Sequence, residues 1–188
     1  MVVQAKHATV EEFDRFVNLP ENADRLLEYI GGEIVEVPSN LFASLISSRI
    51  IGFIFIFLLQ HDIGYVSGET GGYWVSGERY APDVGFISKA KGPVALHGYN
   101  PNPPDLAVEV DFPSTEVSRD TLRIKIANYL AAGTWVWVIV AEAKEVEVYV
   151  PGQPVKVLGI NDLLDGGSLL PGFTLAVKDI FPEQPKAT

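Results

Sequence analysis

The chain has 188 residues, 47% of them apolar and 20% charged, with a formal net charge of −10 and no cysteine. That length suits one domain with room for a proper core, and the composition is globular rather than disordered. The missing thiols exclude a disulfide scaffold, a zinc–thiolate site and a cysteine nucleophile, and the acidity argues against a protein built only to coat nucleic acid, whose affinity comes from neutralising phosphates.

The opening segment MVVQAKHATV carries no apolar core of the kind a secretory signal needs, so a cytoplasmic protein is expected. Thr9 begins T-V-E-E, a capping-box pattern with Glu12 at the third helical position. A short helix should follow, with Val10, Phe13, Phe16 and Val17 on one side, ending near Pro20. Residues 25–37 read RLLEYIGGEIVEV, two alternating runs about Gly31-Gly32, the signature of a two-residue hairpin. Alternation puts Glu28 between Leu26 and Ile30 on a face that should point inward.

Ser39 or Asn40 can cap a long apolar helix reaching about Gln60. Its stretch 50–59, IIGFIFIFLL, raises the question of a membrane span. A charge-free run of ten is shorter than the roughly 20 residues a span needs, so a helix packed on a sheet is expected. Residues 64–75 supply strand material broken by glycines. Residues 79–88, RYAPDVGFIS, read as a strand with Pro82 near its start and Asp83, Gly85 and Ile87 on one face.

After a loop rich in Gly, Pro and Asn comes DLAVEVDFPST. Its near-continuous apolar content suggests a central strand covered on both faces, with Ala107, Glu109 and Asp111 on one side. Ser118 can cap a helix over 119–132, closed by Gly133, with an apolar stripe of Leu122, Ile126, Tyr129 and Leu130. Lys125 falls on or beside that stripe. Residues 135–140 and 146–150 form a further hairpin, and short strands are expected around 155–158 and 174–177. The order predicts one α/β domain, a mixed sheet flanked by helices with an N-terminal β-hairpin.

Four carboxylates stand where apolar residues would be expected: Glu28, Asp83, Glu109 and Asp111. Carboxylates gathered on neighbouring strands repel unless protons or a cation intervene, and a hard divalent cation such as Mg²⁺ answers that need. The alternative is that each merely faces solvent at a strand end. His7, His61 and His97 show no metal-ligand spacing, and GETGGYW lacks the lysine of a phosphate loop.

LEYIGGEIVEV, APDVGFIS, PPDLAVEVDFPST, the D-x-x-x-x-K-x-x-x-Y of Asp120, Lys125 and Tyr129, AGTWVWVIV and LLPGFTL together resemble the Uma-type endonuclease family. That family belongs to the restriction-endonuclease-like superfamily with PD-(D/E)XK active sites. The resemblance implies that superfamily's core, a Mg²⁺ or Mn²⁺ cofactor and a DNA substrate. It implies that Glu28 is the first acidic residue, and that Asp83 and Glu109 bind metal with the Val110 carbonyl as a further ligand. It also marks the Pro113-Ser114 turn as part of the signature.

One departure stands out: the superfamily's lysine would fall at position 111, which is Asp111 here. Either Lys125 reaches the site from its helix, or catalysis is lost and a dimeric binding or assembly module remains. Lys125 could also lay its stem on the helix and send its head to water. Local cations offset the global acidity: Lys89 and Lys91 after the Asp83 strand, and Arg119 and Arg123 after the Glu109 strand, are candidates to hold phosphates. All are expected to leave the same side of the site. The net charge predicts weak intrinsic DNA affinity, which a homodimer would raise. A glycosidase-like pair of carboxylates is a third reading. It would need aromatics lining a cleft, and Trp135 and Trp137 look like core instead.

Overall fold

The computed structural model describes residues 7–37, 40–112 and 116–183, the side chains of 116–118 excepted. Helix α1 spans Val10–Val17 and opens on the expected capping box: Glu12 N–H donates to Thr9 Oγ1 at 3.2 Å while Glu12 Oε2 accepts the Thr9 N–H at 2.8 Å. Strands β1 (Leu27–Ile30) and β2 (Glu33–Glu36) pair antiparallel, with Ile30 opposite Glu33. Gly31 and Gly32 make the turn at φ +59° and +85°, left-handed values that favour glycine.

Helix α2 runs Leu41–Gln60, and Asn40 caps it by accepting the Phe42 and Ala43 N–H groups. Ser39 lies outside the described residues. The helix lies on a sheet, as expected: Ile46, Ile50 and Ile54 are fully buried in one core cluster with Val84, Phe86, Leu106, Val108 and Trp137. It is nevertheless long and apolar enough by composition to cross a membrane, and most of its most apolar stretch stays unburied.

Strands β3 (Gly64–Gly68), β4 (Tyr73–Val75), β5 (Glu78–Tyr80), β6 (Val84–Ser88) and β7 (Leu106–Asp111) follow. The segment 79–88 is thus two strands in two sheets. Pro82 has no N–H to donate to a ladder, and the chain changes sheets there. Asp83 sits just ahead of β6. Helix α3 spans Glu116–Ala131, so it begins before Ser118, which cannot be the residue ahead of it. Gly133 then turns at φ +81°.

Strands β8 (Trp135–Val140), β9 (Glu145–Tyr149) and β10 (Lys156–Leu158) complete a six-stranded sheet in the order β10-β9-β8-β7-β6-β3. Only the β7–β8 pair is parallel, with α3 as its crossover. A second sheet, β2-β1-β5-β4, covers the other face together with α3. The tail adds a strand that its composition does not announce, β11 (Leu163–Asp165), paired with β12 (Thr174–Ala176), before the short α4 (Val177–Ile180). The expected α/β architecture is therefore observed, with α2 on one face of a mixed sheet and α3 plus the hairpin sheet on the other.

Candidate active site

The site lies between the two sheets, under α3. Strand β7 turns Leu106 and Val108 toward α2, and so turns Ala107 and Glu109 toward α3. Glu28 points to the same space from β1 of the second sheet. Both carboxylates are buried. Such burial is costly without partners, and each has them. Glu28 Oε1 accepts the Ala81 N–H at 2.7 Å. The Lys125 ammonium lies between the two, 3.0 Å from Glu28 Oε1 and 2.8 Å from Glu109 Oε2. Glu109 Oε1 accepts the Tyr129 hydroxyl at 3.0 Å.

Lys125 does not snorkel. It is only 6% exposed, and its head points into the interior at the centre of the α3 buried face. Tyr129, one turn on, shares that face, which the i,i+4 spacing could have signalled. The ring of Tyr80 lies 5.7 Å from the ammonium. The Tyr80 hydroxyl donates to Glu78, accepts from Asn128 at 2.7 Å, and Glu78 accepts the Gly31 N–H at 2.8 Å. That chain ties α3 to the hairpin turn and so fixes β1, which carries Glu28.

Asp83 completes the cluster. Its Oδ2 accepts the Val110 N–H at 2.7 Å, and no described residue donates to Oδ1. The β6–β7 ladder ends at Val84 opposite Val108. The Asp111 carbonyl accepts the Ala141 N–H just past β8 while the Val110 N–H turns to Asp83, so at this end of β7 odd positions face β8 and even positions face β6. The Val110 carbonyl therefore points past the end of β6, on the side where Asp83 stands.

The charges explain the ionisation. Burial opposes the Lys125 cation, but Glu109 and Glu28 outweigh it and raise its pKa. Burial, with the charges of Glu28 and Asp83, pushes Glu109 up to about 8 against the pull of Lys125. Burial also raises Asp83, opposed by the Val110 N–H and Lys125. Three carboxylates thus face one ammonium, an excess of negative charge.

A family model described as "Putative restriction endonuclease", Uma2, matches residues 10–178. The chain belongs to the Uma2 family. A solved structure described as a putative nuclease belonging to DUF820, from Anabaena variabilis ATCC 29413, superposes with a TM-score of 0.76 at 25% identity, covering 93% of this chain and 97% of that one. No curated protein matches.

This Uma2 chain has Asp111 where the PD-(D/E)XK pattern would put lysine, and the cation beside the carboxylates is Lys125 instead. Asp111 ends β7 opposite Val140, half-buried. Burial raises its pKa, partly offset by Arg119. The oxygen donors and surplus charge of Asp83, Glu109 and the Val110 carbonyl fit a hard divalent cation. Among the described residues no group of three His, Cys, Asp or Glu side chains is placed to hold one, so the donor set here is two carboxylates and a backbone carbonyl, and Glu109 at present accepts from Lys125 and Tyr129.

The basic residues divide. Arg119 and Arg123 are exposed on the first half of α3, with Arg123 paired to Asp120 at 3.1 Å. Lys89 and Lys91 stand at the opposite end of β6 from Asp83. Lys89 pairs with Asp62, and Lys91 with Asp105 at 3.1 Å, where β7 begins. The expectation that all four leave the same side is corrected. Asp83 precedes β6 and the lysines follow it, so one full strand separates them. The Pro113-Ser114 turn lies outside the described residues.

Proposed function

We propose that the protein is a Mg²⁺- or Mn²⁺-dependent endonuclease acting on DNA, with Lys125 in the role that position 111 has given up. The observation that carries this is the Lys125 ammonium held between Glu28 and Glu109, beside Asp83. Asp83, Glu109 and the Val110 carbonyl are the groups that would hold the cation, which when bound supplies charge neutralisation and a more acidic water.

The chain's own residues do the rest. Glu28, anchored by Ala81 N–H, holds Lys125 in place. Lys125 keeps its proton and, with Glu28 and Glu109 taking the other two, has one N–H to turn to an attacking water or a phosphate oxygen, steadying negative charge as it develops. Tyr129 fixes the rotamer of Glu109. Arg119 and Arg123 offer charges to the phosphates that flank the reacting one.

The test is cleavage of a supercoiled plasmid with Mn²⁺ by the wild type and by Asp83→Asn, which keeps an acceptor for the Val110 N–H. Activity should fall on the order of 100-fold or more, the scale for losing one group aimed at developing charge. Equal rates would take the metal role from Asp83. Metal binding with no cleavage by the wild type would leave a binding module instead, and restored cleavage in Asp111→Lys would place the loss at that position.

A further inference from the structure

Helix α2 has a second apolar face that the described residues leave exposed. Leu41, Leu45, Phe53, Phe55, Ile56 and Leu59 are between 38% and 78% exposed, and only 28% of the most apolar window of the helix is buried. Phe53 lies about 120° round the helix from Leu41 and Leu59, and at roughly 200 Å² per large apolar residue, the scale of one buried aromatic, the exposed fractions of the other five amount to about 600 Å². A soluble monomer's largest apolar patch is about 300–600 Å², and a standard interface buries about 800 Å² per partner. One face of one helix therefore supplies most of one side of a stable interface.

The pattern on that face identifies the occupant. Leu41, Leu45, Ser48, Gly52, Phe55 and Leu59 follow one another at steps of 4, 3, 4, 3 and 4, the seam of a helix that packs on another helix. The seam is symmetric about position 50. Laid antiparallel on itself, it sets Leu41 against Leu59 of the second copy, Leu45 against Phe55 and Ser48 against Gly52. The small pair falls at the crossing, where two backbones come nearest, and the large residues fall toward both ends. A two-fold interface needs this kind of self-complementarity.

Gly52 is otherwise unexplained. It stands in mid-helix, where glycine costs about 1 kcal/mol against alanine, and a Cβ placed there meets nothing within 4 Å. Among the described residues nothing calls for its smallness. Charge agrees. The chain carries −10, yet residues 41–60 hold no Asp or Glu, and their one cation, Arg49, donates to the Asp179 carbonyl at 2.9 Å. Two equally acidic copies can close on this face without bringing carboxylates together.

We infer that α2 is the interface of a homodimer, an antiparallel helix pair crossing at Ser48 and Gly52. The inference stands apart from the nuclease reading and survives its failure. The test uses the full chain in sedimentation equilibrium. The wild type should run at twice the chain mass with a thermal midpoint that rises with protein concentration, and Gly52→Arg at the chain mass, folded, with a midpoint independent of concentration, because the new side chain meets nothing in its own fold. The cysteine-free sequence allows a second readout. Ser48→Cys mixed with Gly52→Cys should give a covalent dimer on oxidation, in greater yield than either variant alone. A monomeric wild type, a dimer untouched by Gly52→Arg, or equal cross-linking in all three samples would overturn it. So would a monomer that co-sediments with phosphatidylcholine–phosphatidylglycerol vesicles, since the face would then serve a membrane.

Discussion

Lys125 carries more of this protein's chemistry than its place in the sequence suggests. A buried ammonium between two buried carboxylates is stable only as a set: removing one member of such a pair costs about 3–5 kcal/mol, because the others stay behind uncompensated. The set is also unbalanced, which makes stability depend on pH. Glu109 has its pKa raised from 4.5 to about 8 by burial and by the charges of Glu28 and Asp83, so between those values the folded chain holds a proton that the unfolded chain has lost. Stability is then highest below about 4.5 for this group and falls as pH rises toward 8. Asp83 acts in the same direction. Urea unfolding of metal-free protein should therefore show a midpoint that drops between about pH 5 and pH 8, at up to ~1.4 kcal/mol per unit for one proton. Glu109→Gln should flatten that slope. A flat profile in the wild type would mean that Glu109 is ionised throughout and that Lys125 alone suffices to balance it.

At the scale of elements, the site depends on how three pieces are set against one another. The hairpin fixes Glu28, β7 fixes Glu109, and α3 brings Lys125 and Tyr129 down between them. The hairpin is the most exposed of these to a local change. Gly32 turns at φ +85°, and a side chain there adopts a backbone conformation that costs about 1–2 kcal/mol. Gly32→Ala should lower stability by that amount. Cleavage should fall further than stability does, because a shifted β1 draws Glu28 off Lys125. Parallel urea and cleavage curves for this variant test the point, and equal percentage losses would mean that β1 does not position the site. Gly52→Arg on α2 is the useful contrast, since no described contact links that face of α2 to Glu28, Glu109 or Lys125.

The acidic cluster and the apolar seam of α2 lie on two faces separated by the six-stranded sheet. The acidic cluster lies on the α3 side, and the uncovered apolar seam on the α2 side. A dimer closed through α2 therefore holds its two clusters facing outward and apart, so they cannot converge on opposite strands of one short duplex site. Single-strand breaks should come first: nicked circles should accumulate before linear plasmid appears in a time course. Linear product appearing with no nicked precursor would argue for sites that act together. On the proposed nuclease reading the net charge adds a salt effect: cleavage should fall steeply as salt rises, because an acidic chain would hold DNA through few local cations.

The sequence by itself determined most of the elements and pointed to the carboxylates of the candidate site. T-V-E-E, Gly31-Gly32 and the alternation of LAVEVD are local signals, written within a few residues, and each forms as read, while the helix before Gly133 forms but starts ahead of Ser118. The carboxylates were legible because an acid in an apolar strand contradicts its surroundings. What only the tertiary structure decided were relations between distant segments. It divided 79–88 between two sheets and sent Lys89 and Lys91 to the far end of β6. It turned Lys125 inward rather than to water, and it gave Glu109 its second partner in Tyr129. The physical reason is one of range. Propensity, capping and periodicity act over a helical turn or a strand, whereas the direction of a long side chain is set by which charges the fold buries beside it. Glu28 and Glu109 stand 81 positions apart, and only folding makes them the two walls that hold Lys125.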